Sequence, residues 1–214
     1  MLVQRLVYRA QLLTGHEDEG KRILNETALP EDVLTLSVFR FHRNLFFYYE
    51  CAAALRTPDE LFPALNTHLE TVPFAEEKRH YVRMNEVFHY NRPTENDPWR
   101  DKEQGQPFGR LNRLRPEMIS SYIFYHNQLQ EEKPGCGDKY GLIALNENLM
   151  FFYEERPYRI EKALYKGRLD THNTPGGWGE LMAQHFLPWE DTDAVWRDDL
   201  ELVCFKRCQI IGKF

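Results

Sequence analysis

Apolar and polar positions along the chain follow two periods, and the switches between them mark out elements. Leu2 to Leu12 alternates with period two and predicts a strand, whereas Gly15 to Asn25 is charged and helix-compatible, with Thr14 as cap and Glu17 three residues on. Two apolar runs, Val33 to Phe41 and Asn44 to Cys51, are separated by the turn-like His42-Arg43-Asn44 and predict paired strands. Thr57 followed by Pro58 predicts a second helix start, and Tyr81 to Tyr90 a closing strand. The second half runs in the same order. It has a strand at Arg110 to Arg115, a helix at Pro116 to Glu132, and strands at Lys139 to Leu145 and Asn148 to Glu155. A helical region from Tyr158 to Phe186 and a last strand from Leu200 to Arg207 complete it.

The halves also share words. Asn44-Leu45-Phe46-Phe47-Tyr48-Tyr49-Glu50 and Asn148-Leu149-Met150-Phe151-Phe152-Tyr153-Glu154 match at five of seven positions at an offset of 104. The order β-α-β-β-α-β, stated twice, predicts an α+β protein of two tandem ferredoxin-like repeats at 1–90 and 110–214. Residues 91–109, with three prolines and two glycines, read as a linker. Each repeat would have one bare apolar sheet face. Packing the two faces together predicts a dimeric-α+β-barrel-like structure within one chain, monomeric in consequence, with further oligomerisation open.

A net charge of -6 and a pI near 5.8 leave no basic face for nucleic acid. No apolar run approaches a membrane span, and the start of the chain lacks a signal-peptide layout, so a soluble, cytoplasmic protein is expected. Cys51, Cys136, Cys204 and Cys208 lack CxxC spacing and read as reduced thiols, with neither disulfide framework nor zinc site. His16, Glu17, Asp18 and Glu19 suit a helix start better than a metal cluster. Glu50 and Glu154 end the matched strands and are candidates for a carboxylate pair.

Tyr122 and His126 lie four apart on the predicted third helix, one turn apart on one face, where both can address a single ligand. Arg115-Pro116-Glu117-Met118 with Tyr122-Ile123-Phe124-Tyr125-His126-Asn127, then Lys139 to Leu145, Asn148 to Phe151 and Trp178-Gly179-Glu180-Leu181-Met182, resembles the L-rhamnose mutarotase family. The resemblance spans nearly all of the second half. It implies a dimeric α+β barrel that interconverts the anomers of a deoxyhexose without metal or cofactor. In that reading His126 and Tyr122 are catalytic, Trp178 and Asn127 hold the sugar, and the partner is a monosaccharide. Gly179 stands where the family has a second Trp, and Tyr165 to Gly177 is longer than the family's helix. The first half offers Asp18 and Arg22 opposite Tyr122 and His126, so only the second half is expected to carry a site. The rival readings are a non-catalytic small-molecule-binding or scaffolding protein and a cofactor-free monooxygenase-like enzyme. A polar-lined pocket around Tyr122, His126 and Trp178 would favour the sugar, and an apolar one the rivals.

Overall fold

The computed structural model describes residues 3–74, 77–95, 99–100 and 105–208. Met1 and Leu2, at the start expected to lack a signal layout, and much of the expected linker lie outside them. In chain order the strands and helices of the first half are β1 (Gln4–Gln11), α1 (Glu17–Glu26), β2 (Val33–Phe41), β3 (Asn44–Cys51), α2 (Pro58–Leu61), β4 (Val72–Phe74), β5 (Glu77–Arg79), β6 (Val82–Arg83) and β7 (Asn85–His89). They continue as β8 (Gln106–Leu114), α3 (Ile119–Glu132), β9 (Cys136–Asp138), β10 (Leu142–Asn146), β11 (Leu149–Arg156), β12 (Ile160–Lys162), α4 (Trp178–Ala183), β13 (Phe186–Leu187), β14 (Trp196–Arg197) and β15 (Glu201–Arg207). The result is a mixed α+β fold with antiparallel sheets.

Local chemistry explains the elements. Thr57 and Glu60 form the reciprocal capping box that starts α2. Pro116 opens the single 3-10 turn that leads into α3. His42 and Glu147, with φ of 53° and 54°, begin the two-residue turns of the hairpins β2-β3 and β10-β11.

The chain forms two compact units, and they are not the two sequence halves. The first is Met1–Met84, Glu95–Lys102 and Asp199–Phe214, and the second Asn85–Thr94 and Glu103–Asp198. Their main sheets run β15-β2-β3-β1-β6 and β13-β8-β11-β10-β7, with β14 also on β8. The single closing strand expected at Tyr81 to Tyr90 is therefore divided. Val82 and Arg83 pair with β1, whereas Phe88 pairs with Ile143 of β10. The strand expected to close the second repeat pairs with β2 instead, Cys204 facing Val38. Each sheet is completed by the strand that ends the other half, which corrects the boundaries 1–90 and 110–214.

Two further expectations change. The helical region from Tyr158 to Phe186 holds the strand β12 and a single short helix, α4, because Gly167, Pro175, Gly176 and Gly177 interrupt the run. The hairpins match at an offset of 105, not the 104 of the repeated heptapeptide. His42 corresponds to Glu147, and the bond from Tyr48 Oη to Glu50 (2.5 Å) corresponds to that from Tyr153 Oη to Glu155 (2.9 Å). One residue of slip turns every side chain to the other sheet face. Phe47, on the helix-covered face, thus corresponds to Phe152 and not to Phe151. Glu50 and Glu154 are accordingly not counterparts. Burial pushes the Glu50 carboxyl up, but Arg100, bonding it twice at 2.7 Å, holds it below the usual range together with Tyr48 and Trp99. Glu154 is held by Arg156 and Tyr158.

Candidate functional site

The second unit has a cavity of about 470 Å³ between the covered face of its sheet and the helices α3 and α4. Strand alternation supplies the floor: Arg110 of β8 stands opposite Phe152 of β11, which stands opposite Ile143 of β10. From α3 the helical repeat brings in Tyr122 and His126, and α4 supplies Trp178 and Met182, with Phe186 and Trp196 beyond it. The expected trio is therefore assembled. His126 packs on Tyr122 with centroids 4.0 Å apart and rings tilted by 33°, and makes T-shaped contacts with Trp178 at 5.0 Å and Phe88 at 5.2 Å. Asn127 is not part of it: one residue further round the helix, it faces solvent. Gly179 lines the cavity, and a Cβ there would meet nothing within 4 Å.

His126 is buried, and its Nδ1 lies 2.9 Å from the Tyr122 carbonyl. A carbonyl only accepts, so Nδ1 carries the hydrogen and Nε2 is the accepting nitrogen of the neutral ring. Burial pushes the imidazole down to about 4, against the opposing pull of that carbonyl. Burial also raises the Tyr122 phenol well above its ordinary value, so the hydroxyl stays a donor. Arg110, the one cation among the described lining residues, lies 4.3 Å from the Trp196 ring and donates to Asp198 at 2.8 and 2.9 Å. Its charge is matched before a ligand arrives.

The cover is fastened to the end of α3. Glu131 accepts from the backbone of Arg168 at 3.0 Å, and Glu132 from the backbones of Asn173 and Thr174 at 2.8 Å and from the hydroxyls of Thr171 and Thr174. Although desolvation pushes the Glu132 carboxyl up, the Thr171 and Thr174 donors hold it far below the usual range. Gly177, at φ 66°, then turns the chain into α4. His185, missed in the sequence reading, ties α4 to α3: its Nε2 lies 2.8 Å from Ser121 Oγ and its Nδ1 3.0 Å from the Leu181 carbonyl. Arg110, Phe152, Phe186 and Trp196 were also missed. A readable signal existed for the first, since alternation puts Arg110, Asn112 and Leu114 on one strand face, and polar residues inside a buried face call for a reason.

All four cysteines are free, with Cys51 and Cys204 buried. Among the described residues no three His, Cys, Asp or Glu side chains converge as a metal site, and no helix is long and apolar enough to cross a membrane.

No protein-family model matches the chain, and no curated protein matches it in sequence. Among solved structures it is similar to a candidate monooxygenase from Fusobacterium nucleatum subsp. nucleatum, at 11% identity and a TM-score of 0.43, covering 96% of this chain and 94% of that one. A candidate monooxygenase from Lactobacillus acidophilus gives 9% and 0.35 over 72% and 76% of the two chains. An anthrone oxidase-like protein gives 10% and 0.32 over 72% of each. Superpositions this shallow fix no chemistry.

Proposed function

We propose that the second unit binds a planar, largely apolar ring system bearing a carbonyl or hydroxyl, and oxygenates it without a cofactor. The observation that carries this reading is a wall of aromatic rings around one neutral, buried histidine whose Nε2 is fixed as acceptor. Flat aromatic faces suit a flat ligand, and a lining dominated by aromatic and apolar side chains offers few partners to a hydroxyl-studded sugar, whose every oxygen needs one. The scaffold we attribute to it, ferredoxin-like repeats in tandem, is supported by the strand order the two sheets share.

In this reaction His126 Nε2 removes a proton from a ring CH2 conjugated with a carbonyl, which in anthrone lies across the central ring, while the Tyr122 hydroxyl donates to the oxygen that gains negative charge. With so low a basicity, His126 acts only on a C–H whose conjugate base is spread over the rings. The carbanion adds dioxygen to give a hydroperoxide, which loses water to leave a ketone. One oxygen atom stays in the product and one leaves as water, with all four electrons drawn from the substrate.

Anthrone is the probe. One dioxygen should be consumed per anthraquinone formed, and His126→Phe should remove the activity. Anthrone binding without oxygen uptake would make the chain a binding protein. Faster anomer exchange of L-rhamnose by NMR, with no anthrone binding, would restore the mutarotase reading.

A further inference from the structure

Asn112 lies in the middle of β8, fully buried, and neither its Oδ1 nor its Nδ2 has a hydrogen-bond partner among the described residues. Leaving such an amide unpaired costs about 1–3 kcal/mol, and most buried polar groups are paired. Asn112 does not itself line the cavity but stands directly beside residues that do. Alternation along β8 puts Asn112 on the face of Arg110, which lines the cavity, and of Leu114 in the apolar cluster. Directly across the ladders stand Met150 of β11 and Trp196 of β14, the latter a cavity wall. Opposed side chains of this kind have Cβ atoms roughly 4.5–5.5 Å apart.

The first unit sharpens the point. With Asn44 matched to Leu149 by the turns, Gln11 of β1 falls on Arg113 of β8, and Ala10 therefore falls on Asn112. Ala10 belongs to the buried apolar cluster of its unit. The two units thus differ at this position by a buried amide with no hydrogen-bond partner among the described residues.

We infer that Asn112 is a specificity-determining residue just behind the floor of the cavity, whose amide receives a second oxygen of the ring ligand, beyond the one facing Tyr122 and His126. This rests on the aromatic-ligand reading and narrows it to ring systems carrying oxygens at two separate edges. Trp196, directly across from Asn112, is the side chain that must shift to admit that second oxygen. A hydroxyl can donate to Oδ1, and a carbonyl can accept from Nδ2.

Naphthalene-1,5-diol and 1-naphthol test it by titration calorimetry. The unaltered chain should bind the diol more tightly by roughly three- to tenfold, the worth of one neutral hydrogen bond. In Asn112→Leu that preference should vanish while the affinity for 1-naphthol is kept, and the thermal midpoint should rise as the unpaired amide is removed. In the unaltered chain the Asn112 side-chain NH2 signals should shift on saturation with the diol, a readout that stands even if the variant does not fold. A diol preference that survives Asn112→Leu overturns the inference, as does an amide-to-water nuclear Overhauser effect that persists at diol saturation. If neither naphthol binds the unaltered chain, the aromatic-ligand reading falls, and this inference with it.

Discussion

The two units build the same space and use it differently. In the first, the region between sheet and helices is closed by Phe47 against Phe62 at 5.9 Å and Tyr81 at 5.5 Å, with Leu24, Leu61, Leu65 and Leu69 in the same buried cluster. In the second, Phe152 takes the position of Phe47, but the covering segment brings Trp178 and Met182 over a hollow. Matching by the preceding strand, Tyr122 and His126 stand where α1 has Gly20 and Leu24, both buried. Gly20 lets α1 approach until a Cβ would lie 2.7 Å from Leu12. Close approach fills the first unit. At the corresponding position the second unit has Tyr122, whose side chain lines the cavity.

The largest expected effect tests the filled unit. Phe62→Ala should lower stability by about 3–5 kcal/mol, the range for truncating a buried aromatic, whereas Trp178→Ala, beside an existing hollow, should cost far less and remove ligand binding instead. Urea denaturation and anthrone titration on both variants separate the two.

Next in size is acid sensitivity in the hollow unit. His126 titrates at about 4 when folded, against about 6.5 unfolded. Between these values the unfolded chain binds more protons, so stability should be full above pH 6.5 and fall by about 3 kcal/mol as pH drops to 4. Asp138 works in the opposite sense: burial raises its carboxyl to about 6, so the folded chain holds the extra proton and gains stability as pH falls from 6 toward 4. Denaturation midpoints in an Asp138→Asn background should show the loss clearly, and adding His126→Phe should flatten it.

Smaller still is the fastening of the cover. Glu132→Gln should weaken the hold on Thr171 to Thr174 and speed proteolytic cleavage between Tyr165 and Gly177 several-fold, with little change in the denaturation midpoint. The smallest is Arg22→Ala in the first unit. Among the described residues Arg22 bonds Glu19 and Glu26 on the exposed face of α1, so binding and denaturation should be unaltered within error.

The sequence showed β2, β3 and the span of α3 almost to the residue, because their apolar runs are bounded by unambiguous turns and by Pro116. It also paired Tyr122 with His126, since helical spacing is a local property, whereas Trp178 joined them only through the family resemblance. What it hid is non-local. The heptapeptide match placed Phe47 on Phe151, but strand pairing decides which face a residue serves, and the turns place it on Phe152. Asn127 looked equivalent to its neighbour, yet one step of about 100° carries it out of the cavity. No local pattern reveals where Tyr81 to Tyr90 divides, because Val82 and Phe88 are equally good strand residues and only their partners differ.

That division governs how the molecule can be made. Val38 meets Cys204 across 166 positions of chain, so the first sheet cannot be completed until almost the last described residue has been synthesised. Contacts so distant in sequence slow folding, and until they form, β2 presents an open edge through which nascent chains can associate. Neither half of the gene, expressed alone, encodes a complete sheet, whereas the halves supplied together in one cell carry every strand both sheets require.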